Sequence, residues 1–157
     1  MEPHTDTAGV QVFQPLVYFA GLAAGYIVWW FLPVPILAGG TTALRVVGII
    51  VCIAGFVLGT SALLVFWRAG TPPEPHKPTR ALATGGPYRF TRNPMYLGMA
   101  LGQAGLALVG NALWPLLTLI PVIWVIRRQV IDREEAYLTS KFGDDYRALT
   151  ARTRRWI

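Results

Sequence analysis

The sequence predicts an all-α integral membrane protein with about four transmembrane helices in two hairpins, a Pro-rich cytoplasmic loop and an amphipathic C-terminal helical tail. Three observations lead there. The chain of 157 residues is 54% hydrophobic and only 14% charged, which is too apolar for an ordinary soluble domain. Its apolar residues gather into charge-free runs that match the ~20 residues needed to cross ~30 Å of hydrocarbon. Its cations are lopsided: of fourteen Lys and Arg, five lie in residues 68–93, eight follow residue 126, and Arg45 stands alone.

Taken in order, residues 1–9 are polar and expected to be disordered. Residues 16–32, LVYFAGLAAGYIVWWFL, form the first run, which stops at Pro33. No Lys or Arg precedes it, and it is too long and aromatic for the core of a typical signal peptide. Residues 46–67, VVGIIVCIAGFVLGTSALLVFW, form the second, bracketed by Arg45 and Arg68. Both runs are apolar all round, which argues against helices lying flat on a membrane. Together they make a first hairpin, residues 10–67. The segment 68–93 carries RAGTPPEPHKPTRALATGGP and cannot be helical through most of its length. Residues 95–109 and 112–126 are shorter apolar runs joined by almost nothing, a tight second hairpin within 94–126. Residues 127–157 are charged and helical in period. The whole reads as one membrane domain.

With four crossings both cation-rich segments fall on one side, and the positive-inside rule makes that side cytoplasmic. The expected location is the inner (plasma) membrane, multi-pass, with both termini in the cytoplasm. The net charge of +6 then faces anionic headgroups. Nucleic acid is a poor partner, because the basic residues are split between two segments and no recognition module is present. Cys52, in mid-membrane without an electropositive neighbour, reads as a small core hydrophobe. His76 stands alone in the loop, without the partners that a metal ligand or general base would need, and no metal site is expected.

The stretch 86–98, GPYRFTRNPMYLG, crowds hydrogen-bonding chemistry against a hydrophobic helix. Asn93 is a favoured N-cap and Pro94 suits the first helical position, so a helix starts there with free N–H groups facing the cytoplasm. Arg89 and Arg92 sit just ahead of it, and together they form a place for a carboxylate or phosphate. Tyr88 and Tyr96 add hydroxyls and flat faces for a heterocycle or a cation. The competing reading is a topology belt, with arginines reaching headgroups and tyrosines at the interface. Gly98, Gly102 and Gly105 form a helix-packing face, compatible also with a homo-oligomer, and Gln103 needs an inter-helix partner. No strand precedes a GxGxxG, which excludes a Rossmann cofactor site.

In the tail, ~100° per residue puts Val130, Ile131, Tyr137, Leu138 and Phe142 on one stripe. Glu134 falls near its middle, Glu135 at its edge, and Arg127 on the line of Glu134, while Asp132 and Arg133 fall outside as solvated residues. A carboxylate in an apolar face is costly unless paired. Glu134 therefore either pairs with Arg127 or a loop arginine, or binds a ligand. Gly143 marks a break, followed by a short amphipathic helix and a Trp-Ile end expected to dip into the interface.

GPYRFTRNPMYLG, a helical hairpin, REEAYLTSKFGDDYRAL and a terminal RRWI together resemble the isoprenylcysteine carboxyl methyltransferase family and its relatives, the membrane phospholipid methyltransferases. The resemblance covers about residues 70–157. It implies an S-adenosylmethionine-dependent methyltransferase whose cofactor lies at the cytoplasmic face and whose lipid-like or small hydrophobic acceptor arrives from the bilayer. The family's Arg-His-Pro-x-Tyr falls on Arg92, Asn93, Pro94, Met95 and Tyr96, with Asn93 replacing the histidine. Its Glu-Glu falls on Glu134 and Glu135, and its Gly-Pro-Tyr on Gly86, Pro87 and Tyr88. The implied cofactor site adds Arg89 and Leu97 to these, and the implied catalytic residues are Glu134, Asn93 and Arg127, with Arg127 or Arg128 orienting an anionic acceptor. A membrane reductase using NADPH and a non-catalytic membrane interaction module are the rival readings. The acceptor, and whether its reacting atom is O, N or S, is not written in the sequence.

Overall fold

The computed structural model describes residues 7–10, 12–40, 42–74 and 77–156. Its regular elements are all helical, and no strand occurs among the described residues. α1 (Gln14–Phe31) ends where Pro33 forces the preceding residue out of helical conformation. α2 (Thr42–Arg68) is the longest apolar helix, with 27 residues. A 3-10 turn at Gly86–Arg89 leads to α3 (Pro94–Val109). α3 stops at Gly110, and Asn111 adopts a left-handed φ of 47° that few side chains other than Asn tolerate. α4 (Leu113–Leu117) and α5 (Leu119–Ile126) follow, separated at Thr118. Pro121 causes that break, since it cannot donate to the carbonyl four residues back and its ring crowds it.

α5 does not end at the membrane surface as a separate element. It runs through a π-helical turn at Arg127–Ile131 into α6 (Asp132–Arg152), which kinks at Gly143, where φ is 51°. α2 and the continuous run Leu113–Arg152 are long and apolar enough to cross a membrane, and α3 is a shorter apolar helix. Large apolar side chains such as Phe31 and Phe56 stand 80% and 75% exposed on α1 and α2. Such a surface suits hydrocarbon rather than water.

α2 packs chiefly on α3 rather than on its hairpin neighbour, while α1 packs on α3, α4 and α5. Glycines set the α2–α3 distance. A Cβ at Gly98 would lie 2.7 Å from Gly55 O, and one at Gly55 would lie 2.6 Å from Gly98 O. The packing face expected of α3 is therefore covered within the chain. Gly102 meets α2 through its backbone, a Cβ at Gly55 lying 3.0 Å from Gly102 N, whereas a Cβ on Gly102 itself would meet open space. Gln103 bridges helices as expected: its Nε2 donates to Pro115 O at 3.0 Å, one of the carbonyls loosened by the α4–α5 break.

One end of the bundle is closed by the pairing of Leu37 with the Asn111 side chain, donor to acceptor in both directions at 3.0 Å. The long loop, the 3-10 turn, α6 and the C-terminal segment share the other end. Three expectations change there. Residues 7–10 are not a loose tail: Val10 is buried in the core with Tyr18, Tyr96 and Ile126, and Arg133 donates to Gly9 O at 2.9 Å. Trp156 packs against that core rather than outward into an interface. Asp132 is not simply solvated but ion-paired with Arg155 at 3.3 Å. The expected disorder of residues 1–6 and the lone His76 fall outside the described residues.

Candidate functional site

At the loop-bearing end lies a cleft that opens to solvent. One wall is the end of α2 and the 3-10 turn, where Phe66 and Tyr88 meet edge to face with ring centres 5.5 Å apart. Asn93, Met95 and Tyr96 at the start of α3 form a second wall, and Glu134, Glu135, Tyr137 and Leu138 of α6 a third. The loop passes over α6, with Thr79 N donating to Tyr137 Oη at 3.2 Å. Beyond the kink, Tyr146 and Leu149 complete the enclosure.

The two glutamates differ sharply. Glu135 accepts Arg92 Nε at 3.3 Å and Nη2 at 3.2 Å. It also accepts Arg155 Nε at 3.1 Å on the same oxygen and Arg155 Nη2 on the other. Its charge is fully answered by protein. Glu134, half-buried, accepts one side-chain bond among the described residues, from Tyr96 Oη at 2.8 Å, and has no ion pair there. Burial pushes its carboxyl up to about 7, the Tyr96 hydrogen bond pulls it back down, and the Glu135 charge pushes it up further. Burial, with a smaller push from Glu134, holds the Tyr88 hydroxyl well above the usual phenol range. The cleft thus contains a carboxylate without a counter-charge among the described residues, framed by aromatic walls.

The sequence-derived site residues fall into two groups. Tyr88, Arg92, Asn93, Tyr96, Glu134 and Glu135 all line the cleft. Arg89 faces a separate shallow depression beside Arg152 and Thr153. Pro94 is fully buried as the first residue of α3. Leu97 does not line the cleft, whereas Met95 does. Arg127 is exposed on the π turn and also stays outside it. The alignment of Arg127 with Glu134 assumed an unbroken α-helix, and the extra residue of a π turn displaces one relative to the other by ~100°.

Two roles at the Asn-Pro corner also differ from expectation. Asn93 occupies the N-cap position but makes no capping bond; its Nδ2 donates instead to Arg155 O at 2.9 Å. Arg92 is not a free anion receptor, because besides Glu135 it donates to Thr150 O and Thr153 O. The residue that sequence reasoning missed is Arg155. Its segment lies beside residues 90–93, where Arg92 N donates to Arg154 O at 2.9 Å and Thr91 Oγ1 to Arg155 O at 3.2 Å. The only available signal was the terminal RRW run, indistinguishable in sequence from a headgroup anchor.

A Haemophilus influenzae protein described as uncharacterized is 46% identical over 65 residues, 40% of this chain and 100% of that protein. The protein-S-isoprenylcysteine O-methyltransferase of Schizosaccharomyces pombe is 42% identical over 66 residues, 41% of this chain but only 28% of that protein. No solved structure matches. Residues 43–145, from the start of α2 past the Gly143 kink, match the phospholipid methyltransferase family. That match takes in α2, α3, both glutamates and the cleft between them over well more than half the chain, and the chain therefore belongs to the phospholipid methyltransferase family.

Proposed function

We propose that this chain is an integral membrane methyltransferase that uses S-adenosylmethionine and acts on a lipid-like or small hydrophobic acceptor at the cytoplasmic membrane face. Family membership supports the reaction class. The observation that carries the cofactor assignment is Glu134: a half-buried carboxylate lining an aromatic-walled cleft, held by Tyr96 and lacking a counter-charge among the described residues. Such a group suits a ligand that brings an ammonium or a pair of hydroxyls, and S-adenosylmethionine brings both.

The donor set fits that molecule in other respects. Phe66 and Tyr88 offer ring surfaces for a heterocycle or a sulfonium. Met95 and Tyr96 place the positively polarised first turn of α3 at the cleft, where a carboxylate is favoured. Arg92 and Glu135 answer each other and hold the two helices together rather than the ligand. When bound, S-adenosylmethionine supplies a methyl group on a sulfonium, already activated for in-line displacement. The protein's share is to align the reactants and exclude water, so no catalytic triad is needed. Apolar walls and the loop passing over α6 serve that exclusion.

In this reading α1, α2, α3 and the α4–α5 run cross the inner membrane, with the loop and tail in the cytoplasm. Exposed Arg127 and Arg128 then sit where the last span leaves the hydrocarbon, suited to headgroup phosphates. The name of the yeast relative makes prenylated cysteine one acceptor to try alongside phospholipid amines. The test is equilibrium binding of labelled S-adenosylmethionine to detergent-purified protein, with NADPH as competitor. Wild type should bind, Glu134→Gln should lose at least tenfold in affinity, and NADPH should not compete. Failure of wild type to bind, or unchanged binding by Glu134→Gln, overturns the assignment. Incubation with labelled cofactor and native lipid extract then identifies the methylated species.

A further inference from the structure

We infer that Arg155 is a positioning residue: by pinning and neutralising Glu135 it leaves Glu134 as the member of the Glu134–Glu135 pair that meets a ligand in the cleft. The inference deepens the proposed function, because it explains how two adjacent acidic residues in one helix come to have different duties.

Consecutive residues on a helix are ~100° apart and share a turn, so an unassisted Glu-Glu pair would place two like charges beside one small cavity. Each would raise the other's proton affinity, and either could meet the ligand. The structure breaks the tie with a segment that is remote in sequence. Beyond the end of α6 the chain turns back along residues 90–93, forming a parallel bridge between Thr91 and Arg154. Asn93 Nδ2 and Thr91 Oγ1 both hold the Arg155 carbonyl oxygen, which fixes the backbone from which its guanidinium projects. From there the guanidinium reaches both carboxylate oxygens of Glu135, and its Nη1 lies 3.3 Å from Asp132. A fork that engages both oxygens sets carboxylate orientation as well as charge. Arg92 takes Glu135 from the α3 side, so the carboxylate is clamped between two guanidiniums. This also gives Asn93 a role: its neutral amide fastens the C-terminal segment.

The groups facing Glu134 set what should be measured. On its own helix these are Glu135, Asp132 and Tyr137; across the cleft they are Tyr96 from α3, Tyr88 from the 3-10 turn and Glu74 from the loop. Tyr146 faces it from beyond the kink, and the guanidiniums of Arg92 and Arg155 stand behind Glu135. Removing the Arg155 charge leaves the Glu135 charge less screened, which disfavours the Glu134 carboxylate and moves its titration upward.

The experiment is a ¹³C-carboxyl NMR titration of glutamate-labelled full-length protein in micelles, with Glu134→Gln assigning the resonance. It needs no ligand, so it stands apart from whether S-adenosylmethionine binds at all. Arg155→Gln should raise the Glu134 midpoint by on the order of half a unit. Arg155→Lys should hold it near wild type. Arg155→Gln combined with Glu135→Gln should return it to or below the wild-type value, a rescue that a purely structural staple would not produce. An unmoved midpoint in Arg155→Gln, or no return in the double variant, overturns the inference. Labelled S-adenosylmethionine measured on the same samples reports on the proposed function separately: absence of binding by wild type removes that function and leaves the midpoints to judge Arg155.

Discussion

As the proposed ligand receptor, Glu134 costs the empty fold stability. Its folded carboxyl titrates at about 7 because of burial, against an ordinary value of 4.5. Between those values the folded state holds a proton that the unfolded state has released, so this residue's contribution makes the protein less stable as pH rises through that window. Glu134→Gln should therefore raise the melting temperature in detergent at pH 8 and leave it nearly unchanged at pH 4, while weakening ligand binding. A drop in melting temperature at pH 8 would show that Glu134 already has its partner within the protein. Tyr96→Phe makes the complementary case. Its hydroxyl donates to the ionised form, a bond worth ~1.5–3 kcal/mol to a charged group, so its loss should move the pH midpoint of binding upward and cost about tenfold or more in affinity at pH 7. The importance of Glu134 was legible in the sequence, since a carboxylate on an apolar stripe must be paired or used. Its difference from Glu135 was not, because the arginine that decides it arrives from twenty residues downstream.

Helices were legible for the same reason that single residues were: period and charge-free length are local properties. The run expected at residues 95–109 is α3 (Pro94–Val109), and the proline that opens it also fixes its first turn. What period could not reveal is a change of period. The π turn at Arg127–Ile131 rotates α6 relative to α5, and a uniform 100° step carried Arg127 onto the wrong line. Glycine spacing likewise predicted a packing face without saying which glycine touches. Gly98 meets backbone of α2, which cannot yield, whereas the space beside Gly102 is open. Gly98→Ala should thus separate α2 from α3 and destabilise by ~1–3 kcal/mol, as overpacking does. Gly102→Ala should be neutral or slightly stabilising, since Ala is the better helix residue by ~1 kcal/mol. Thermal shift of the two purified variants checks this, and equal effects would mean that the close α2–α3 crossing does not form in the membrane. Separation at Gly98 should also reach the cleft, because Phe66 of α2 and Tyr96 of α3 face each other across it.

At the scale of the molecule, the hydrophobic runs and the clustering of cations let the sequence anticipate a bundle with its chemistry at one end, and the cleft does lie where the loop meets the tail. The closure of that end was hidden, because residues 8–10 and 153–156 are short, weakly patterned segments whose places are set by partners across the bundle. Such an arrangement makes a strong demand on topology. Under the proposed function the cleft takes a cytoplasmic cofactor and a membrane acceptor together, so its end of the bundle should face the cytoplasm and the Leu37–Asn111 clasp should face outward. Two exposed sites report on the two ends: Ala38 beside the clasp and Ala148 on the outer face of α6. In intact spheroplasts Ala38→Cys should react with a membrane-impermeant maleimide, and Ala148→Cys only after permeabilisation. Wild type, whose one cysteine is Cys52 in the middle of α2, supplies the unlabelled background. Labelling of both sites from outside would mean that an even number of crossings separates Ala38 from Ala148, and the reverse pattern would put the cleft where S-adenosylmethionine is absent. Either result would take the methyl donor of the proposed function out of reach, since the loop and the tail share a side when α3 and the α4–α5 run both cross, and that side must then be the cytoplasm.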